Sequence, residues 1–173
     1  IDLTVLAGDA VADAQVREPS RRITLHGLDG PITPVHALGD EGAMRQVLAN
    51  LIATAVHHPP EGTPIDLAVG YRDDMAVLEV RDHGPGIPRA EAEKVFQRFY
   101  RADPSRGRTG ESGNGLGLAI VSALATHQRG RVGVAQTPGG GATFVVQIPR
   151  APVSPGHPDD TADDPDDADT QSE

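Results

Sequence analysis

Four short segments carry residue types that do chemistry when a fold brings them together. Asn50, Thr54, His57 and His58 recur at i, i+4, i+7 and i+8, a spacing that puts an amide, a hydroxyl and two imidazoles on one helix face. By itself such a set reads as an ordinary solvated face. Asp82-His83-Gly84-Pro85-Gly86-Ile87 sets a carboxylate ahead of two glycines. The missing Cβ atoms admit a ligand to the backbone while the carboxylate accepts its hydrogen bonds. Alone, this D-x-G-x-G pattern is a turn. Phe96-Gln97-Arg98-Phe99-Tyr100-Arg101 gathers three of the five aromatic rings beside two guanidinium groups, which alone would be a core plug. Gly113-Asn114-Gly115-Leu116-Gly117-Leu118 places alternating glycines before an apolar run. That arrangement offers backbone N–H groups and the positive end of a helix to an anion.

The elements that must position these segments follow from hydrophobic spacing. Leu3, Leu6, Val11 and Ala14 predict a first helix over residues 3–18, ending at the Glu18-Pro19 step. Residues 22–26 alternate, and 34–38 follow a Gly-Pro turn, so two short strands are expected before the next helix. Asp40 stands where an N-cap belongs, and Met44, Val47, Leu48, Leu51, Ile52 and Ala55 mark an amphipathic helix over 43–56, stopped by Pro59-Pro60 and Gly62. Residues 64–71 and 75–82 read as a hairpin around Arg72-Asp73-Asp74. A short helix near 89–95, a glycine-rich polar mobile loop over 102–114, a helix from Leu116 and strands at 131–137 and 142–148 complete the reading. Helices interleaved with antiparallel strands give an α+β two-layer α/β sandwich, its sheet mixed but mainly antiparallel and covered by helices on one face. The strand–helix alternation of a Rossmann or P-loop fold is missing, as is G-x-x-x-x-G-K-[ST].

Composition limits the function further. A chain of 173 residues, 3% aromatic and without Trp or Cys, has an aliphatic core and neither disulfides nor thiolate chemistry. The net charge of −10 is concentrated in residues 151–173, which hold eight acids and no Lys or Arg, leaving 17 acids against 15 bases over 1–150. The near-neutral body does not suit nucleic acid. The proline-bearing acidic end cannot offset its ordering entropy, so the expected organisation is a domain over 1–150 and a disordered tail over 151–173. No apolar run approaches the ~18 residues of a membrane span, and no secretory leader is evident. The expectation is a cytoplasmic chain without membrane contact of its own.

In this order the segments resemble the histidine-kinase branch of the ATPase superfamily that also contains gyrase, the Hsp90 chaperones and MutL. The resemblance covers essentially residues 1–150. Asn50 and its helix look like the N box, Asp82 to Gly86 the G1 box, Phe96 to Tyr100 the F box, Gly113 to Gly117 the G2 box, and Gly139 to Phe144 the last glycine-threonine segment. The resemblance implies a Bergerat-type ATP-binding fold with ATP and Mg²⁺ as cofactors. Asp82 would accept from the adenine N6 amine, with Thr143 bridging to the same ring edge through water. His58 would pack against adenine or ribose, His57 would stand near the phosphates, and the loop over 102–114 would be the lid. Gly84, Gly86, Gly113, Gly115, Leu116, Gly117 and Leu118 would line the nucleotide. Arg98 or Arg101 would offset charge on the transferred group, and Asn50 and Thr54 would hold the metal.

The resemblance further implies a protein-histidine kinase of a two-component system, with a response regulator downstream. None of the seven histidines has the helix setting of a phosphoacceptor, so that residue would come from a separate dimerisation domain in trans. Thr54 stands where the family has a second Asn, and His57 where it has Lys or Arg. Both departures keep open a regulatory module with weakened catalysis. An anti-sigma-type serine kinase is a third reading, countered by the full F box. Gyrase-like hydrolysis is disfavoured because Asn50, unlike the Glu of hydrolysing members, is no general base.

Overall fold

A computed structural model of the chain describes residues 1–100 and 115–152. Helix α1 (Leu3–Arg17) starts where Asp2 accepts from the Thr4 and Val5 N–H groups at 2.8 and 3.2 Å, satisfying two of the free donors of a first turn. Strand β1 (Ile23–Gly27) follows. The second expected early strand does not form: residues 34–38 supply only single bridges, Asp2 with His36 and Ala37 with Arg150. The segment is pinned between the start of α1 and the residue that follows Pro149, with no neighbour along which a ladder can extend.

Helix α2 (Glu41–His57) is capped by Asp40, whose carboxylate accepts from the Ala43 N–H at 2.7 Å. Its buried stripe is the expected one, Met44 to Ala55. Strands β2 (Ile65–Arg72) and β3 (Met75–Asp82) pair antiparallel about a turn at Asp73 and Asp74. The expected helix near 89–95 is two separate 3₁₀ turns, Arg89–Glu91 and Lys94–Phe96. Helix α3 (Gly117–His127) leads into β4 (Arg131–Gln136) and β5 (Ala142–Pro149).

The strand order is β1-β2-β3-β5-β4, with β1 parallel to β2 and every other pair antiparallel. This is the expected mixed, mainly antiparallel sheet. Because side chains alternate along a strand, Ile65, Leu67 and Val69 share a face with Ala76, Leu78, Val80, Ala142, Phe144, Val146 and Ile148. That face joins the helices in one core. The opposite face bears Thr24, Asp66, Glu79, Arg81 and Thr143, in register across the strands, and no helix among the described residues covers it. The sandwich therefore has two layers, with the chemistry-bearing loops at one end of β3 and β5.

Candidate functional site

Asp82 is the last residue of β3 and is only 5% exposed. Its Oδ1 accepts from the Gly84 N–H at 2.9 Å and from the Ala142 N–H at 3.2 Å. Two fixed donors on one oxygen leave Oδ2 as the acceptor with which the carboxylate can meet something else. The glycines around it are structural requirements. Gly141 has φ +112, and a Cβ there would lie 1.9 Å from the Asp82 carbonyl oxygen; one on Gly86, at φ +77, would lie 2.8 Å from the Gly141 oxygen. The carboxylate is thus held between two backbones in contact. Gly84 lies against Pro59, whose Cβ would be 2.6 Å from an added Cβ, so the G1 segment also touches the end of α2.

Across from this loop, α3 begins at Gly117 with no side-chain cap at Leu116, and its first backbone bond runs from Ile120 N–H to Leu116 oxygen. The N–H groups of residues 117–119 are therefore outside the helix ladder. Gly117 sits against Asn50, its would-be Cβ 3.8 Å from the Asn50 Oδ1. The Asn50 Nδ2 is buried and finds no hydrogen-bond partner, a cost that a ligand acceptor would remove. Gly115, at φ +65, packs on Phe99 and Tyr100, and its oxygen accepts from the Phe99 N–H at 3.0 Å. The F and G2 segments are thereby joined. Leu118 is half-buried against the core, as is Phe96, whereas Phe99 is 72% exposed with φ +62. Only one of the three grouped rings thus serves as the core plug.

Three expected site residues have side-chain partners of their own. Thr143 lies directly opposite Arg81, on the sheet face away from the helices, and its hydroxyl pairs at 2.9 Å with that of Thr137. Asp82, one residue on, points to the other face. A one-residue step on a strand reverses the side chain. The His57 Nδ1 lies 2.6 Å from the Ala53 oxygen. A carbonyl only accepts, so Nδ1 carries the proton and a neutral ring turns its lone pair outward. The Thr54 hydroxyl donates to the Asn50 backbone oxygen at 2.8 Å, leaving lone pairs to offer. Arg98 is exposed. Gly113, Arg101 and the expected lid over 102–114 lie outside the described residues.

His58 follows α2 and lines a cavity of about 580 Å³ with Pro59, Pro60, Thr63, His83, Gly84 and Pro85. Burial of its ring pushes its pKa below the ordinary imidazole value, the Asp82 carboxylate opposing and His57 reinforcing the shift. Sequence reasoning missed two supports. Arg21, 5% exposed, donates to the Val56 and Thr63 oxygens at 3.1 and 2.8 Å and so ties the end of α2 to the loop after it. Asp66 on β2 holds His83 at 2.7 Å. Neither has a local sequence signal, because each pairing spans the fold. The described residues contain no cluster of three or more acidic or imidazole side chains suited to a metal.

With this geometry in view, comparison with known proteins is decisive at the level of family. Residues 39–152 match the family described as Histidine kinase-, DNA gyrase B-, and HSP90-like ATPase. The chain belongs to that family. It is 34% identical over 163 residues to the sensor-like histidine kinase SenX3 of Mycolicibacterium smegmatis, covering 94% of this chain and 42% of that protein. It is 42% identical over 149 residues to the probable sensor histidine kinase TcrY of Mycobacterium tuberculosis, covering 86% of this chain and 30% of that one. The chain therefore spans less than half the length of both. Among solved structures, it is similar to the ATP binding domain of PrrB from Mycobacterium tuberculosis, with a TM-score of 0.70 and 27% identity, covering 88% of this chain and 96% of that one. The fold is the ATP-binding α/β fold of histidine kinases.

Proposed function

We propose that the chain binds ATP between α2, the loop after β3 and the start of α3, and passes the γ-phosphoryl group to a histidine on a separate phosphoacceptor domain. The observation that carries this reading is the buried Asp82 carboxylate, fixed by two backbone donors on one oxygen. Its other oxygen can accept from the adenine amine, whereas guanine would present a carbonyl at that point and be repelled. The N–H groups of residues 117–119 face the same cleft as Asn50 and suit the phosphates. His58 forms a wall beside the base, and Arg98 and Arg101 are the cations for charge on the moving group. In the transfer, a ring nitrogen of the acceptor histidine bonds to the γ-phosphorus as the bond to the β-phosphate oxygen breaks, releasing ADP.

Mg²⁺ fits this site thinly. Asn50 and Thr54 offer two neutral oxygens, and any bound ion would complete its shell with phosphate and water. When bound, it neutralises phosphate charge. The Asn50 amide has no basic atom to activate water, which favours transfer over hydrolysis. Residues 1–150 form the nucleotide unit in this reading, with the acidic segment after it an appendage; the family match ending at residue 152 supports the boundary. No helix of the described residues is long and apolar enough to cross a membrane. In this reading the kinase works in the cytoplasm, with a response regulator downstream.

A second reading, a nucleotide-binding regulator without transfer, draws on His57 and Thr54, whose side-chain protons are both engaged by helix carbonyls. Calorimetric titration with ATP, with and without Mg²⁺, followed by radiolabel transfer to a separately expressed acceptor-helix protein, separates the two. Binding with transfer supports the kinase and binding without transfer the regulator. No binding refutes both.

A further inference from the structure

On the sheet face turned away from the helices, Asp66 of β2 stands directly opposite Arg81 of β3. Two residues beyond Arg81 the chain has left the strand, yet His83 keeps to the same face and its Nε2 lies 2.7 Å from the Asp66 Oδ2. The other Asp66 oxygen accepts from the Thr24 hydroxyl, whose oxygen is 2.9 Å from the His26 Nε2. His26 itself stands 3.6 Å from Asp66. Three side chains, two from β1 and one from the loop after β3, thus converge on the Asp66 carboxylate. His83 is the residue between Asp82 and Gly84, whose N–H is bound by the Asp82 carboxylate.

We propose that Asp66 and His83 are positioning residues for the adenine-reading loop, and that protonation of His83 strengthens nucleotide binding through them. This rests on the reading of the cleft as an ATP site. A carboxylate only accepts, so the His83 Nε2–H donates to Asp66 and the free ring nitrogen is the one that takes up a proton. The bond then becomes a charge-assisted pair, shorter and stronger. It draws the peptide after Asp82 toward β2 and against the Gly139–Gly141 turn, where an added Gly141 Cβ would already lie 2.8 Å from the His83 Cα. The Asp82 carboxylate is thereby held in its aim.

The other charged groups around His83 are accounted for. Arg81 donates to Glu79, which Arg72 also pairs, so its guanidinium is committed away from Asp66. His58 lines the same cavity as His83, with Thr63 as its polar wall. Thr143, opposite Arg81 on β5, is bound to Thr137. Burial pushes the Asp66 carboxyl up, but the hydrogen bonds from Thr24 and His83 and the charges of His83 and His26 hold it below the usual carboxylate range. It stays ionised wherever imidazoles titrate. The coupling is therefore present on the acid side of neutrality and is lost as pH rises.

Linkage requires the effect to be reciprocal: if the proton favours nucleotide, nucleotide must favour the proton by the same factor. The test follows the imidazole C–H resonances of the whole chain by NMR against pH, free and saturated with a non-hydrolysable ATP analogue. In the natural chain the His83 midpoint should rise on saturation by about half a pH unit, a factor of about three. In Asp66→Asn that rise should vanish. A rise that persists in Asp66→Asn reports only the field of the phosphates and overturns the inference, as does no rise in the natural chain. His83→Gln, an exposed change that keeps a donor, gives a second check. The affinity of the natural chain relative to this variant should fall about threefold from pH 6 to pH 8, and a constant ratio overturns the proposal. Absence of binding to the natural chain overturns the ATP reading together with this one, whereas binding without these couplings overturns this one alone.

Discussion

Two alanine substitutions in one glycine turn separate backbone strain from backbone collision. Gly139 has φ +88 and nothing within 4 Å of a would-be Cβ, so Gly139→Ala carries only the cost of the left-handed conformation, about 1 kcal/mol. Gly141 has φ +112, and its Cβ would stand 1.9 Å from the Asp82 oxygen, 2.7 Å from the Asp82 carbonyl carbon and 2.8 Å from the His83 Cα. Every one of these is a main-chain atom, so no rotamer change relieves the overlap. Gly141→Ala must either distort β5 or push the loop after β3 away. The cost should be about 3 kcal/mol, a large share of the ~5–15 kcal/mol that stabilises a domain. Because the displaced segment carries Asp82, ATP affinity should drop about tenfold or more even where the variant is fully folded. Urea denaturation and ATP calorimetry on both variants provide the readings. If the two stabilities agree within about 0.5 kcal/mol and both variants bind ATP like the natural chain, the close approach of the two backbones is refuted.

Asp82→Asn should weaken ATP binding about thirtyfold by calorimetry, the worth of a charged hydrogen bond of about 2 kcal/mol. Its urea midpoint should scarcely move, because an amide oxygen can still accept from Gly84 and Ala142; equal affinity would remove Asp82 from the site. His57→Lys should tighten ATP about fivefold, because a lysine carries a fixed charge to phosphate whereas the imidazole has its Nδ1 taken up by the Ala53 carbonyl. An unchanged affinity would place the phosphates elsewhere. Thr143→Val should cost about 1 kcal/mol of stability through the lost Thr137 partner while leaving ATP affinity intact. A loss of affinity would restore Thr143 to the adenine edge.

Residues with strong periodicity were legible in the sequence. The buried stripe from Met44 to Ala55, the Asp40 cap and the β2–β3 pairing all appear as the spacing predicts, since each is decided within a few residues. The 34–38 segment misleads because alternation signals an extended chain without saying whether a neighbour exists to pair with it; two single bridges are all the fold supplies. Membership of Thr143 in a glycine-threonine segment says nothing of strand parity, and its register opposite Arg81 came only with the sheet. Arg21 and the Asp66–His83 pair were invisible because their partners are 35, 42 and 17 residues distant. A lone arginine near a proline, or a histidine inside a glycine loop, has no spacing rule that announces such a partner. The pattern Asp82-x-Gly84-x-Gly86 was readable as a turn after a strand, but the Ala142 donor that fixes its carboxylate came only with the sheet order.

That sheet order also bears on how the protein is made. Strand β5 lies between β3 and β4, although β3 is synthesised first and a helix intervenes. Asp82 receives its second backbone donor from a residue 60 positions later. As the chain leaves the ribosome, β3 has β2 on one side and an open edge on the other until Ala142 to Pro149 emerge. The Asp82 carboxylate is not held in place by its own hairpin. A nascent chain cut short anywhere before β5 should thus present an unpaired apolar edge to chaperones and no fixed Asp82, so that emergence of β5 and acquisition of ATP binding should coincide.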